Sequence, residues 1–285
     1  MRCNEVKKKI IFIIFLVILI AVLFMIPKDT YMLIFGKGDD SINDESVMNE
    51  NILVYMVNDE DNLVGVFAKV KSLEEDLISQ KFDVLTKKTG AFKNEYDTFI
   101  NTNTILLGYE VLDSVLVLNF SNDFFESYGR KTLEQLVWTY CDDEISEIKL
   151  KVDNNEIHSL NGFYFDKLDL DMGINLTLES NFLFESSVTT ILEYCGDVIK
   201  PVSYVYQDMD VCDFIVSKLF NEIYANKEYD YVLSNDSLIL DIAIDNSLSD
   251  DLKKSIVETI SYNMNIKNIQ IQGINQVLLE IKEEK

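Results

Sequence analysis

The chain has 285 residues, with 49 acidic side chains against 25 basic ones and a formal net charge of −24. This charge excludes nucleic acid and anionic lipid surfaces as partners of the bulk of the chain, since both repel a strongly negative protein. Apolar residues make up 48% of the sequence, which supplies a core and argues against disorder. With only 10 Gly and 2 Pro, a collagen-like or proline-rich stalk is also excluded.

The first predicted element is a transmembrane helix. Residues 10–26 hold no polar side chain, and a helix of that length spans roughly 25 Å, about the thickness of a bilayer core. Basic residues at 7–9 precede the run and favour a cytoplasmic N-terminus. We therefore predict a basic tail and transmembrane signal anchor over residues 1–35, in a single-pass cell-membrane protein whose bulk is extracytoplasmic. The anchor residues are Ile10, Phe15, Ile20 and Ile26.

The end of the apolar run predicts that this anchor is retained. Residues 24–28 lack the small side chains of a signal-peptide cleavage site, and Cys3 precedes the run, where it cannot serve as a lipid-bearing cysteine. Five of the 25 basic and one of the 49 acidic residues lie in residues 1–28, which leaves 20 basic and 48 acidic side chains beyond it, a charge of −28. Residues 36–50 are then predicted to be an acidic linker.

The first folded segment begins with a predicted hairpin. Strands are expected at 52–57 and 63–70 around the polar turn 58–62. Residues 72–75, Ser-Leu-Glu-Glu, form a capping box that predicts the start of a helix. After a polar loop, strands are predicted at 104–112 and 113–120. A later strand, 147–152, is followed by a turn at 153–155.

The strongest helical periodicity lies between the last two of these strands. Apolar side chains recur at i, i+3, i+4, i+7 and i+8, which predicts a helix that packs on the sheet containing residues 115–118. Glu134 falls outside this apolar face, so substitutions there are expected to cost less stability than a change at Leu136. The periodic residues are Leu133, Leu136, Val137, Tyr140 and Cys141.

The second half of the chain repeats this order. Strands are predicted at 189–195 and 201–206, a helix through Val211 to Ile223, a short strand at 231–233, a strand at 236–242, a helix starting at 249–251, and a strand from 268. Matching segments are offset by 123 and 121 residues, which indicates two copies of one small domain. The region between them, 163–184, alternates apolar and acidic residues and is expected to be an exposed strand or connector.

We therefore predict an α+β protein with two tandem copies of a β-β-α-β-β-α-β domain after the transmembrane helix. The first domain is expected at 51–158, the connector at 159–187 and the second, more divergent domain at 188–285. Length alone also favours two domains.

The first repeat resembles the GerMN domain of sporulation and spore germination proteins. The segments that carry the resemblance are residues 52–57, 104–108 leading to 115–124, and Leu-Glu-Gln-Leu-Val-Trp-Thr-Tyr at 133–140 followed by 148–156. The resemblance implies a fold akin to the ring-building domains of sporulation channels. It also implies a non-enzymatic role between the mother-cell and forespore membranes. The family's sporulation member is a lipoprotein, but this chain has no cysteine placed to carry the lipid. The family commonly has Asp-Gly at the last turn, where this chain has Asp153-Asn154.

No candidate catalytic, cofactor or metal site emerges from the sequence. His158 is the sole histidine and is expected to be an exposed polar residue, and no glycine-rich phosphate loop is present. The turn 58–62 comes nearest to a calcium loop but lacks its glycine and distal glutamate. Cys195 and Cys212 fall in one predicted domain and either form a disulfide or are small buried side chains.

Two functional hypotheses follow. The first is a non-catalytic, membrane-anchored envelope protein of sporulation or germination that oligomerises or scaffolds a trans-envelope complex, with itself or another envelope protein as partner. The second is an extracytoplasmic binding module for cell-wall glycan or a small ligand. Neither requires a cofactor, and an enzyme is not expected.

Overall fold

The computed structural model describes residues 50–70, 76–92, 95–178, 186–234, 236–244, 247–264, 266 and 268–282. The predicted anchor, with Ile10, Phe15, Ile20 and Ile26, lies outside these residues, as do the capping box at 72–75 and nearly all of the acidic linker. Within the described part of the chain, no helix has both the length and the apolar character needed to cross a bilayer.

The first repeat has the predicted order of strands and helices. A 3₁₀ turn at Asn122–Glu126 precedes its second helix, and a two-residue strand closes it. Its elements are β1 (Glu50–Val57), β2 (Leu63–Val70), α1 (Leu77–Leu85), β3 (Leu106–Leu112), β4 (Val115–Phe120), α2 (Arg130–Tyr140), β5 (Glu147–Val152) and β6 (Asn155–Glu156).

A connector with little regular structure follows. It contains β7 (Ser159–Leu160), β8 (Phe163–Tyr164), a 3₁₀ turn (Leu170–Met172) and β9 (Thr177–Leu178). The sequence predicted an exposed strand or connector at 163–184. Much of that segment is exposed, but Leu168 and Ile174 within it are buried in the core of the first repeat, as is Leu160 just before it. Their burial fixes the path of the connector over that repeat.

The second repeat departs from the first in two places. Its first helix is broken at Phe220 into two helices, and its last strand, which the sequence did not predict, has five residues where β6 has two. Its elements are β10 (Ser187–Cys195), β11 (Val198–Tyr206), α3 (Val211–Leu219), α4 (Asn221–Asn226), β12 (Tyr229–Leu233), β13 (Ser237–Ile242), α5 (Asp250–Met264), β14 (Asn268–Gln272) and β15 (Val277–Ile281).

Each repeat builds its own four-stranded sheet. The first has the order β3-β4-β5-β6 and the second β12-β13-β14-β15. In both, the central pair is parallel because a helix crosses between the two strands, and the other pairs are antiparallel. Asp113 and Ser114, predicted as part of a strand, instead form the tight β3–β4 turn, where both have positive φ as a two-residue hairpin turn requires.

The opening hairpins of the two repeats join into one central sheet of order β1-β2-β11-β10. β2 and β11 pair at Val66 with Val198 and at Gly65 with Ile199. A Cβ on Gly65 would lie 3.1 Å from Leu53 Cδ1 and 3.2 Å from Ile199 Cβ. The missing side chain therefore lets the strands of the two repeats approach each other.

Two apolar cores lie around this sheet. The core of the first repeat also takes in Leu192 and Ile199, which belong to the hairpin of the second repeat. The other core is built around α3, α5 and the last sheet. The two repeats thus share a sheet and part of a core, so that the described residues belong to one compact unit.

Candidate interaction surface

Helix α2 seals one edge of the central sheet with buried side chains. The Tyr55 backbone N–H on β1 donates to Thr139 Oγ1 at 3.1 Å, and Gln135 Nε2 donates to the Tyr55 carbonyl at 2.8 Å. Gln135 Oε1 in turn accepts the N–H of Phe99 at 2.9 Å. Since Gln135 is fully buried, these bonds replace the partner strand that β1 lacks on this side.

Helix α5 seals the opposite edge in the same way. Its residues Ser255, Thr259 and Asn263 are spaced four apart and therefore lie on one face of the helix. They accept the backbone N–H groups of Tyr194, Leu192 and Thr190 at 2.9, 3.0 and 2.9 Å. The two outer strands of the central sheet, β1 and β10, are thus satisfied inside the molecule by helices rather than left open to another chain.

Among the described strands of five or more residues, free edges remain at β3 in the first repeat and at β12 and β15 in the second. The edge at β3 is the most apolar: Ile105, just before the strand, and four residues of the strand expose about half of their surface, and we call these five residues the β3 edge. They are Ile105 at 53%, Leu107 at 49%, Tyr109 at 41%, Val111 at 46% and Leu112 at 58%.

These side chains project from both faces of the strand. Tyr109 and Val111 oppose the buried Leu118 and Leu116, so they lie on the helix side of the sheet, whereas Leu112 opposes Val115 on the other side. The register shifts between Leu106 and Gly108. A strand added to β3 would therefore cover apolar surface on both faces.

The same tyrosine contact supports β3 and its counterpart β12. The Tyr231 hydroxyl donates to Asp210, which caps α3, at 3.1 Å. The Tyr109 hydroxyl bonds Asp76, which caps α1. Sequence reasoning missed this pair, although Tyr109 and Tyr231 are separated by almost the same offset as the matched strands.

A junction of buried polar groups fixes the connector between the repeats. Glu134, buried on α2, accepts Arg130 Nε at 2.7 Å and the Asn175 N–H at 3.1 Å. Asn175 Nδ2 donates to the carbonyls of Leu63 on β2 and Pro201 on β11, at 2.7 and 2.8 Å. The Asn175 side-chain amide thus bridges the strands of both repeats, and Glu134 holds the Asn175 backbone in place.

A cavity of about 350 Å³ lies beside the β1–β2 turn. The carboxylates of Asp59, Asp61, Glu95 and Asp97 line it, together with the rings of Tyr96, Phe99 and Tyr128. The hydrogen bond from Lys87 Nζ to Asp97, at 3.1 Å, holds the pKa of that carboxyl below its usual range. This arrangement is acidic and aromatic, a combination that can hold a polar ligand with hydrogen bonds and ring stacking.

The residues singled out from the sequence are dispersed. His158 is exposed, with Nε2 at 3.9 Å from Glu156 Oε1. Cys195 is exposed and Cys212 buried, and both are free thiols. Asn58 Oδ1 accepts the N–H groups of Glu60 and Asn62, so it closes the β1–β2 turn. No cluster of three or more His, Cys, Asp or Glu side chains in the described residues is arranged to hold a metal ion.

The comparisons with known proteins agree with this architecture. The family model Germane, described as sporulation and spore germination, matches residues 53–158. The tandem GerMN domains of the sporulation protein GerM from Bacillus subtilis superpose with a TM-score of 0.67 at 14% identity, covering 82% of this chain and 98% of that one. The first repeat therefore matches the Germane family, and the two repeats together have the fold of the tandem GerMN domains.

The first GerMN domain of GerM alone aligns with a TM-score of 0.38 at 16% identity, over 43% of this chain and 98% of that one. A putative lipoprotein from Clostridium perfringens aligns with a TM-score of 0.30 at 19% identity, over 44% of this chain and 88% of that one. No curated protein matches the chain. The resemblance predicted from the sequence is therefore confirmed: the GerMN assignment comes from the family match in the first repeat, and the tandem fold from the structural match across both. The predicted α+β class is also confirmed.

Proposed function

We propose that this protein is a non-catalytic, membrane-anchored envelope protein that acts in sporulation or germination by associating with other proteins. The family that its first repeat matches is one associated with sporulation and germination. The apolar run at residues 10–26 and the basic residues before it support a single-pass anchor with the folded repeats outside the cytoplasm. Outside the cytoplasm, the protein would oligomerise or act as a scaffold in a trans-envelope complex.

The observation that carries the proposal is the contrast between strand edges. Buried polar side chains close both edges of the central sheet, at Thr139 and at Thr259. The outer sheet of the first repeat, by contrast, keeps an edge with five half-exposed apolar side chains. An open apolar edge beside a central sheet whose outer strands β1 and β10 are both closed is typical of an interaction surface.

The location can be tested with the chain's own thiol. Cys195 is exposed on the folded repeats, so a membrane-impermeant maleimide added to intact cells should label it if these repeats lie outside. Cys195→Ser is the matched control and should lose the label. Labelling of Cys195 only after the membrane is permeabilised would contradict the extracytoplasmic placement.

Association is tested by sedimentation of the full-length protein, alone and with envelope proteins of the same organism, at low and at physiological salt. With a charge near −28 beyond the anchor, self-association should strengthen as salt screens repulsion over roughly 8–10 Å. A basic partner should instead bind more tightly at low salt. A protein that stays monomeric in every mixture would contradict this proposal.

The alternative function is binding of cell-wall glycan or a small ligand. The cavity beside the β1–β2 turn favours it, since Tyr96, Phe99 and Tyr128 supply rings and Asp59 and Glu95 supply hydrogen-bond acceptors. Retention of the protein on purified cell wall, abolished by Tyr128→Ala, would favour this alternative. Retention that survives the substitution would place glycan binding elsewhere.

A further inference from the structure

We propose that the β3 edge binds an extended, basic segment of another envelope protein, which adds a strand to the sheet β3-β4-β5-β6. This inference rests on the proposed function and names the chemistry of its partner. The added strand would pair through its backbone and cover the half-exposed side chains Leu107, Tyr109, Val111 and Leu112.

The backbone of β3 is available for such pairing. β3 bonds to β4 on one side, and no other strand in the described parts of the chain pairs with its second side. β5, at the other side of this sheet, is covered by β6 and by the bridge between Ile148 and Leu168. β6 itself is only two residues long, so β3 is the edge of this sheet that can pair with a full-length strand.

Charge selects the kind of strand. Residues 103–128, which comprise β3, β4 and the following 3₁₀ turn, contain Glu110, Asp113, Asp123 and Glu126 but no Lys or Arg. Asp76 lies beside the strand as well, bonded to Tyr109. A strand with apolar side chains and Lys or Arg would complement both the exposed apolar surface and the negative charge of this edge.

The same charge disfavours a second copy of this chain as the occupant. Two copies would each bring a charge of about −28 from the residues beyond the anchor. They would also bring two identical acidic edges together, because Glu110 lies in the strand and Asp113 in the turn that directly follows it. A basic segment gains from the same field that repels the copy.

The test uses the full-length protein in non-ionic detergent and three synthetic peptides about as long as β3. In the first, Val alternates with Lys. In the second, Glu replaces every Lys. The third keeps the Lys residues but has Pro at each Val, so that it retains the charge and cannot pair as a strand. Binding is measured by fluorescence anisotropy at low and at physiological salt.

Leu107→Lys is the test variant, since it removes an apolar contact and adds a repelling charge at an exposed position. Leu112→Lys is a second variant in case the first one does not fold. The matched control is Val232→Lys, which makes the same change on the equivalent strand β12, where Val232 is 63% exposed. Equal melting temperatures of the variants and the control establish that each one is folded.

The Val–Lys peptide is expected to bind, and to bind more weakly as salt is added. Leu107→Lys or Leu112→Lys should weaken it by roughly ten-fold or more, which corresponds to about 1.4 kcal/mol, and Val232→Lys should leave it unchanged. The Glu and Pro peptides should not bind.

Failure of the Val–Lys peptide to bind wild type, equal binding to the folded Lys variants, or equal binding of the Pro peptide would overturn the inference. A wild-type dimer that Leu107→Lys dissociates would also overturn it, because the occupant would then be a second copy. If the peptide fails while wild type still assembles with an envelope protein, only the β3 edge is wrong. If no assembly occurs in any mixture, the proposed function fails instead.

Discussion

The Thr139 hydroxyl on α2 accepts the backbone N–H of Tyr55 on β1 at 3.1 Å, across 84 residues of sequence. Thr259 on α5 does the same for Leu192 on β10 at 3.0 Å. Both threonines are buried, and each satisfies an edge strand that has no neighbour on that side. The two repeats have thus kept the same device for closing the central sheet, although their sequences diverge.

Thr139→Val should destabilise the protein by about 1–3 kcal/mol, because it leaves the Tyr55 N–H buried without an acceptor. Thr259→Val should cost a similar amount through Leu192. Thr102→Val, at an exposed position, serves as the control and should change the unfolding free energy by less than about 0.5 kcal/mol. Urea unfolding measures all three, and equal stabilities for Thr139→Val and the control would refute the role of the hydroxyl.

Glu134→Gln should lower the unfolding free energy by about 3 kcal/mol, because it leaves the partly buried Arg130 guanidinium without its charge partner. The sequence placed Glu134 outside the apolar face of the helix, but the structure shows its side chain buried at the junction of the repeats; that a change here costs less than one at Leu136 stays a prediction. Glu156→Gln, at an exposed carboxylate, is the matched control and should have little effect. A double-mutant cycle with Arg130→Gln separates the pair energy from the loss of the Asn175 contact.

Substitution of Asn175 should make the two repeats unfold at different urea concentrations. Asn175 has a φ of 47°, which Gly adopts freely and Ala adopts at a cost of about 1–2 kcal/mol. Asn175→Gly therefore removes the bridging hydrogen bonds alone, and Asn175→Ala adds strain to that loss.

The only Trp of the chain, Trp138, reports on this junction, since its ring lies 5.4 Å from that of Tyr262 on α5. In wild type, Trp fluorescence and circular dichroism should give the same urea midpoint. In Asn175→Ala the urea midpoint measured by Trp fluorescence should fall below the midpoint measured by circular dichroism. Coincident midpoints in the variant would show that the bridge is not what couples the repeats.

Among the three described cysteines, Cys195 should react fastest with iodoacetamide. Burial raises the pKa of Cys212 and of Cys141 to about 12, so at pH 8 almost none of either thiol is the reactive thiolate. Cys195 is exposed. Peptide mapping after brief labelling measures the order, and rapid modification of Cys212 in the folded protein would contradict its burial.

The same two groups set the direction of an alkaline effect. Their folded-state pKa lies above the value of about 8.5 for an unfolded Cys. Their contribution to stability is therefore complete below that value and is lost as the pH rises toward 12. The melting temperature of Cys212→Ala should fall less between pH 8 and pH 10 than that of wild type, and an identical fall in both proteins would contradict this account.

Local patterns predicted most elements of the first repeat. Strands with alternating or continuous apolar residues and the periodic helix at 133–141 appear within a few residues of their expected ends. The helix was nonetheless predicted to have one buried face, whereas every side chain from Thr132 to Tyr140 is buried. The sequence shows the period of the apolar residues along the helix but not how many elements surround it. Because α2 lies between two sheets and the connector, more than one of its faces is buried.

The second repeat was harder because its signals are weaker. The break between α3 and α4 at Phe220 has no Gly or Pro to mark it. β15 follows a bulge in β14 and consists of a short apolar run that could continue any structure. The connector looked exposed because its acids alternate with apolar residues, yet Leu160, Leu168 and Ile174 are buried in the first core.

The sequence by itself determined the α+β class, the duplication and the GerMN resemblance, because each depends on short-range spacing that survives in the order of residues. Only the tertiary structure decided that β2 and β11 join the repeats in one sheet, that Glu134 and Asn175 fasten the junction, and that β3 is left open. These features depend on contacts between residues far apart in the chain, such as Leu63 and Asn175, separated by 112 positions. Every backbone N–H and C=O group needs a hydrogen-bond partner, so the local sequence does not distinguish one strand edge from another. The packing of the elements decides which edge a helix closes and which edge stays free.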